Sequence, residues 1–155
     1  MIRFVFFGFL SLVVLSSCEK DVIASAEWKW PDQQWIKGDL KTLTMVGIDT
    51  TTAYRIDLSI DHSVDYPFQN VYVRLLTVFP SGKEIKSITS LELANVDGSW
   101  SGDCGTKTCS LTLPLQKGFT FPEIGEYKLT IEPYMRVDTI DGLKSMTVVC
   151  RKLEE

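Results

Sequence analysis

The sequence contains a single histidine, His62, and this scarcity limits the chemistry that it can support. One imidazole supplies at most one base, and no Gly-x-Ser-x-Gly elbow, His-Glu-x-x-His pair or glycine-rich phosphate loop accompanies it. We assign His62 to a turn between strands, in the segment DHSVDYPF, where it is expected to bond to backbone or to a nearby carboxylate. The sequence therefore predicts a protein that is not an enzyme, with no cofactor and no small-molecule substrate.

Metal ligands are also scarce. Cys104 and Cys109 have the spacing Cys-x4-Cys and could be combined with His62, but three mixed ligands in these positions are weak evidence for zinc. Asp61 and Asp65 lie on either side of the histidine and are interpreted as turn formers rather than as an acid/base pair. No metal site is predicted.

Positive charge is in deficit. The chain has 16 lysines and arginines against 20 aspartates and glutamates, for a formal net charge of −4. Proteins that bind phosphate backbones carry a basic face, and nothing in this sequence resembles one. Nucleic acid is therefore excluded as a partner.

The sequence has no apolar run long enough to span a membrane. Residues 2–15 are apolar except for Arg3, and they fall short of the roughly 20 residues that a membrane helix needs. They are typical of a signal-peptide core. The tetrad LSSC that ends at Cys18 has the form of a bacterial lipobox, so residues 1–17 are predicted to be removed and Cys18 to carry lipid. The alternative is an ordinary signal followed by a buried free cysteine.

A short polar segment follows the proposed lipidation site. Residues 18–27 show no strand or helix period and are predicted to be the lipidated cysteine and a tether, with the folded domain at residues 28–155. Lys20 is not the aspartate that marks retention in the inner membrane, so the predicted location is the outer membrane, with the domain anchored to it through Cys18. The pair Lys20 and Asp21 leaves the periplasmic and surface faces both open.

No segment has a helical period over ten or more residues, whereas strand patterns are frequent. Residues 53–60 alternate, with Tyr54, Ile56 and Leu58 on one face, as in a half-buried antiparallel strand. Residues 70–79 are apolar on both faces and end at a Pro-Ser-Gly turn, which predicts a hairpin with a central first strand. The other candidate strands are residues 40–47, 109–113, 118–121, 127–133 and 145–151.

Seven or eight short strands joined by regular turns predict the fold class. They favour an all-β protein, with an antiparallel β-sandwich or jelly-roll-like single domain behind a lipoprotein signal peptide.

Three cysteines remain if Cys18 carries lipid. Beyond the inner membrane the compartment is oxidising, so close pairs tend to be bridged. Cys104 and Cys109 enclose the loop GTKT, and a local disulfide between them is the first choice. Cys150 continues the pattern of Met146 and Val148 and is predicted to be a buried strand residue. The rival pairing joins Cys150 to one of the other two.

Four tryptophans are candidate contact residues. Trp28, Trp30 and Trp35 lie in the segment EWKWPDQQW, and Trp100 lies in the loop DGSWSG. Exposed indoles could stack on sugar rings or form a protein interface. The alternative is that each packs over a sheet end or the edge of the core.

A longer series of segments resembles a known family. In order they are QQWIKGDL, YRIDLSIDHSVDYPFQNVYV, FPSGK, LELANVDGSWSG, FPEIGEYKLTIEPYMR and GLKSMTVVCRK, and together they are similar to the gliding-motility lipoprotein GldH family of Bacteroidota. The resemblance implies a non-enzymatic outer-membrane lipoprotein of the gliding and type IX secretion apparatus, which holds or stabilises partner envelope lipoproteins. Cys18 is the only residue to which it gives a chemical role. The second hypothesis is a surface glycan-binding lipoprotein that uses the tryptophans.

Overall fold

The computed structural model describes residues 21–153, and this part of the chain forms eleven β-strands and no helix. The predicted signal peptide and Cys18 lie outside the described residues. Within residues 21–153 there is no helix that could cross a membrane. The strands are β1 Val22–Lys29, β2 Gln34–Ile36, β3 Lys41–Met45, β4 Tyr54–Ser63, β5 Asn70–Val78, β6 Glu84–Glu92, β7 Asp103–Cys104, β8 Thr108–Phe119, β9 Tyr127–Pro133, β10 Thr139–Asp141 and β11 Leu143–Lys152.

The strands form two main sheets and a small ribbon. One sheet has five strands in the order β1-β11-β4-β8-β7, the other has four in the order β3-β9-β5-β6, and β10 pairs with β2. Neighbouring strands are antiparallel throughout. The two sheets bury a common apolar core. The predicted all-β antiparallel sandwich is therefore confirmed.

Strand β4 follows its alternating sequence. Tyr54, Ile56, Leu58 and Ile60 are buried on the face that points to the other sheet. The opposite face carries polar side chains, as expected for a strand with one buried face. β4 lies between β11 and β8 in the middle of its sheet.

The hairpin of β5 and β6 also follows the sequence. Its register runs without interruption from Asn70 opposite Glu92 to Val78 opposite Glu84. The turn is closed by a hydrogen bond from the Phe79 N–H to the carbonyl of residue 83 (2.9 Å), and Gly82 takes the positive φ of 83° that the turn requires. β5 lies inside its sheet, between β6 and β9, as predicted.

Other boundaries differ from the prediction. The predicted tether, residues 18–27, is wrong from Val22 onward, because β1 begins there and pairs with β11. Its small residues, Ala24 to Ala26, have too little contrast in polarity to show a period. Residues 139–141 form β10, which was not among the predicted strands, and the predicted strand 118–121 supplies only the end of β8.

Aromatic side chains connect the two sheets at one end of the core. The ring of Phe121 lies 4.9 Å from that of Tyr54 on β4 and 4.5 Å from that of Tyr127 on β9. Edge-on and tilted contacts of this kind add to the stabilisation that comes from buried area alone. Phe121, which follows β8 directly, thereby bridges the two layers of the sandwich.

Candidate interaction face

Two of the four candidate tryptophans are in the core. Trp35 has no exposed surface, Trp30 is 7% exposed, and their ring centroids are 5.0 Å apart. Asp39 accepts a hydrogen bond from each indole, from Trp35 through its backbone carbonyl (2.9 Å) and from Trp30 through its carboxylate (3.2 Å). Because Asp39 satisfies both N–H groups, both rings can be buried. The prediction that Trp30 and Trp35 contact a glycan or a partner is therefore wrong.

Trp28 and Trp100 are half-buried and pack against the core. The indole of Trp100 donates a hydrogen bond to the Val64 carbonyl (3.1 Å). For these two residues, contact with a glycan or a partner stays a prediction.

His62 is a strand residue and not the turn residue that the sequence suggested. It is fully buried near the end of β4, and its Nδ1 lies 2.8 Å from the carbonyl oxygen of Ser63. Nδ1 therefore carries the proton and donates it, which leaves Nε2 without a partner among the described residues. Burial lowers the pKa of His62, which keeps the ring neutral near pH 7.

The neighbouring aspartates do not form a carboxylate pair. Asp61 accepts a hydrogen bond from the Ser145 hydroxyl (2.6 Å), while Asp65 is exposed and its N–H bonds to Ser63 Oγ. Within residues 21–153, no group of three His, Cys, Asp or Glu side chains could hold a metal ion.

The cysteines lie in two different environments. Cys104 and Cys109 are directly opposite each other in the hairpin of β7 and β8 and are joined by a disulfide. Cys150 is a buried free thiol on β11, and burial raises its pKa to about 11. A thiol in this state is a poor nucleophile.

An unexpected feature lies on the outer surface of the four-stranded sheet. On β5 the side chains of Val71 and Val73 are completely buried, so Tyr72 and Arg74 point away from the core. Arg74 is opposite Ile88 on β6. Large side chains thus line the solvent side of this sheet. We call the set of residues Tyr72, Arg74, Ile88, Glu132 and Tyr134 the aromatic face.

Arg74 organises the aromatic face. Its guanidinium pairs with Glu132, the residue opposite it on β9, and lies 5.1 Å from the centroid of the Tyr134 ring. The hydrogen bond that Arg74 donates to the Glu132 carboxylate raises the pKa of Arg74, so the guanidinium stays positively charged. The Tyr134 N–H donates to the Tyr72 carbonyl (2.8 Å), which fixes the second aromatic residue beside the first. The face is therefore ordered before any partner arrives, which reduces the entropic cost of binding.

The aromatic face remains open to solvent. Tyr72 is 44%, Tyr134 47% and Ile88 54% exposed. They border a trough of about 940 Å³ that also includes Arg136. Tyrosine and arginine are enriched in protein interfaces, so this surface is a candidate contact site.

The outer surface of the five-stranded sheet is different. Its polar side chains bond to each other, as in the contact between the hydroxyls of Ser59 and Thr112 (2.7 Å). Asp61 and Ser145 form a second such pair. The outer surface of the five-stranded sheet is thus largely polar. The four-stranded sheet also has polar pairs on its outer surface, such as the hydroxyls of Thr42 and Thr130, but it exposes Tyr72, Ile88 and Tyr134 beside them.

The fold and this face define a single-domain, antiparallel β-sandwich protein with exposed large side chains on one outer surface. A family model described as GldH lipoprotein matches residues 23–148. The chain belongs to this family, as its sequence motifs predicted. It is similar to a gliding motility lipoprotein GldH homolog of Christiangramia forsetii, at 27% identity over 97% of this chain and 94% of that protein. It is also similar to gliding motility lipoprotein GldH of Flavobacterium johnsoniae, at 25% identity over 94% of this chain and 92% of that one.

Solved structures share only a distant likeness. Dimeric latent PorU from Porphyromonas gingivalis matches 85% of this chain and 13% of its own, with 10% identity and a TM-score of 0.32. The CBM35 of Cellvibrio japonicus Abf62 matches 84% of this chain and 98% of its own, with 14% identity and a TM-score of 0.31. Similarity at this level carries no functional argument.

Proposed function

We propose that this chain is a non-enzymatic lipoprotein of the gliding-motility and type IX secretion apparatus in the cell envelope. It is anchored to the outer membrane through lipid on Cys18, and it holds or stabilises a partner envelope lipoprotein on the aromatic face. Family membership and the relatives named as gliding-motility lipoproteins support the assignment to the gliding-motility apparatus.

The observation that carries the second part is the difference between the two outer surfaces of the sandwich. Tyr72, Ile88 and Tyr134 are each exposed by roughly half, whereas the outer surface of the other sheet carries hydrogen-bonded polar pairs such as Ser59 with Thr112 and Asp61 with Ser145. An arginine without an ion pair beside the aromatic face also favours a protein partner. Glu132 neutralises Arg74. Arg136, which lines the trough beside the aromatic face, has no ion pair within residues 21–153 and could bind a carboxylate of the partner.

The test is co-purification from cells that produce the full-length lipoprotein. The double variant Tyr72→Ser/Tyr134→Ser should lose the partner lipoprotein, because both exposed rings are removed while the core is untouched. The matched control is Ser59→Ala/Thr112→Ala on the outer surface of the other sheet, which should retain the partner. Circular dichroism should show that both variants are folded.

Deletion of the gene adds a second readout. The proposal expects lower levels of the partner lipoprotein and impaired secretion. Unchanged partner levels with normal secretion would contradict it. Retention of the partner by the folded tyrosine variant would show that the aromatic face is not the contact. Saturable binding to a glycan array that is lost in Trp100→Ala would instead favour the glycan-binding hypothesis.

A further inference from the structure

The two sheets separate toward one corner of the sandwich. On the inner face of β5, Val71 and Val73 are completely buried, but Leu75 and Thr77 farther along the same face are only half-buried. The paired strand β6 shows the same gradient, from buried Leu91 to exposed Ile85. Inner-face side chains at this corner therefore lack a partner from the opposite sheet.

A cavity of about 310 Å³ occupies the gap between the edges of β6 and β8. Its apolar lining includes Leu75 and Ile85 from one sheet and Leu115 and Phe119 from the other. The polar lining groups are hydroxyls and amides, and no charged side chain lines the cavity. Small-molecule sites in proteins are concave spaces of roughly 300–1,000 Å³ with mostly apolar side chains and a few polar groups, and this cavity lies at the lower end of that range.

Hydrogen bonds and close packing hold together the two loops at the mouth of this cavity. Ser81, in the turn between β5 and β6, donates from its backbone N–H (3.1 Å) and its hydroxyl (3.0 Å) to the carboxylate of Glu123. Gly125 packs so closely on Pro80 that a Cβ would come within 2.8 Å of its ring. We call these contacts, between Ser81 and Glu123 and between Pro80 and Gly125, the clasp. Next to the clasp, the ammonium group of Lys83 lies 5.6 Å from the ring centroid of Phe79, which lines the cavity.

We propose that this cavity binds the hydrocarbon chain of a fatty acid, with the carboxylate at the mouth near Lys83. An apolar cavity of about 150 Å³ accommodates a six-carbon ring, so 310 Å³ accommodates on the order of ten carbons. The inference is independent of the aromatic face, which lies on the other side of the four-stranded sheet, and either proposal can fail without the other.

The chemistry of the lining favours a hydrocarbon over a peptide. A peptide strand in this gap would turn some of its N–H and C=O groups toward apolar side chains such as Leu75 and Leu115, and each group left without a partner there would cost about 1–3 kcal/mol. A methylene chain requires none. Lys83 forms no ion pair within residues 21–153, so its charge is available to a carboxylate.

The experiment uses the processed full-length lipoprotein in amphipol, without detergent. The probe is dodecanoic acid with a diazirine on its last carbon, and labelled positions are mapped by mass spectrometry after irradiation. We expect saturable labelling of β5 or β8 peptides, suppressed by excess dodecanoic acid. Dodecanol should compete about two- to fivefold less well, because the exposed ion pair with Lys83 is lost.

Two neighbouring residues provide a matched pair of variants. Ser87 on β6 lines the cavity, whereas Ile88 lies on the outer surface of the same sheet. Ser87→Phe should fill the space and abolish labelling, while Ile88→Phe should leave it intact. If Ser87→Phe does not fold, Lys83→Gln provides the second variant and should weaken probe binding by the same two- to fivefold.

Two kinds of result, in labelling and in native mass spectrometry, would overturn the proposal. Labelling that does not saturate, or that persists in folded Ser87→Phe, would show that the cavity is not the site. Release of a peptide and no fatty acid in native mass spectrometry would assign the gap to an extended segment of a partner protein. Loss of the partner lipoprotein in the co-purification experiment, with fatty-acid labelling unchanged, would concern the aromatic face alone.

Discussion

The indole of Trp100 stands edge-on to the imidazole of His62, with ring centroids 4.6 Å apart and an interplanar angle of 62°. Tyr66 closes the same cluster at 5.6 Å from the imidazole. These rings cover His62 and keep solvent from its Nε2, which has no hydrogen-bond partner within the described residues. The folded protein therefore resists protonation of this ring.

This resistance predicts a pH dependence of stability. Burial lowers the pKa of His62 below its ordinary value of 6.5. The hydrogen bond to the Ser63 carbonyl and the charge of the adjacent Asp61 oppose that shift, and the ammonium of Lys144 adds to it. Below pH 6.5 the unfolded chain binds the proton more readily, so the free energy of unfolding should fall as the pH falls from 7.5 to 5.5. Urea unfolding at the two pH values measures the change.

The chain offers a clean control for that measurement. His62 is the only histidine, and the carboxylates with lowered pKa values, Asp49 and Asp97, lose their contribution only at lower pH. His62→Phe should therefore remove most of the difference between pH 7.5 and 5.5. A difference of the same size in this variant would contradict the assignment.

The clasp between the β5–β6 turn and the loop before β9 predicts a large effect at Gly125. Gly125 has a φ of +143°, and an added Cβ would collide with Pro80. Gly125→Ala should lower the free energy of unfolding by about 1–3 kcal/mol from backbone strain, with the collision in addition. Gly105→Ala is the control, because its Cβ would meet only ordinary contacts and its φ is not positive. Equal stability of the two variants in urea would refute the argument.

The disulfide predicts a moderate effect. The bridge between Cys104 and Cys109 closes a short loop, for which chain entropy gives a stabilisation of about 2 kcal/mol. Cys104→Ala/Cys109→Ala should lower the free energy of unfolding by about that amount at most, and the protein should remain folded. Mass mapping of non-reduced peptides checks the pairing, and a bridge from Cys150 to either partner would contradict it.

Cys150 should be unreactive in the folded protein. Its side chain is buried and its pKa is raised to about 11, so little thiolate exists at pH 7.5. Iodoacetamide should modify it slowly under native conditions and rapidly in urea. Rapid native labelling would show that β11 opens far more often than its central place in the sheet implies.

The sequence predicted what depends on local pattern. The alternation in Tyr54 to Ile60 gave both the strand and its buried face, and β9 begins and ends where the pattern from Tyr127 to Pro133 indicated. Strands that show no alternation of polar and apolar residues were missed. β2 has only three residues, Gln34–Ile36, and β10 is equally short, so neither can display a period.

The candidate site depended on information that no local pattern contains. The segment NVYVRLLTV is apolar on both faces, which predicted a central strand correctly but gave no sign that Tyr72 and Arg74 lie exposed on the outer surface. Conversely, Trp35 is buried because Asp39 satisfies its indole N–H. The exposure of Tyr72 depends on which elements cover the sheet, and the burial of Trp35 depends on the geometry of one hydrogen bond. Only the folded chain shows either.

The early start of β1 limits where this domain can work. Four peptide units separate Cys18 from Val22, and a fully extended chain covers at most about 3.6 Å per residue, or roughly 14 Å. With lipid on Cys18, strand β1 at the edge of the five-stranded sheet would be held at the level of the lipid headgroups, and the domain would diffuse laterally with the membrane. Such a domain meets its partners by diffusion in two dimensions, at a local concentration set by the membrane and not by the surrounding fluid.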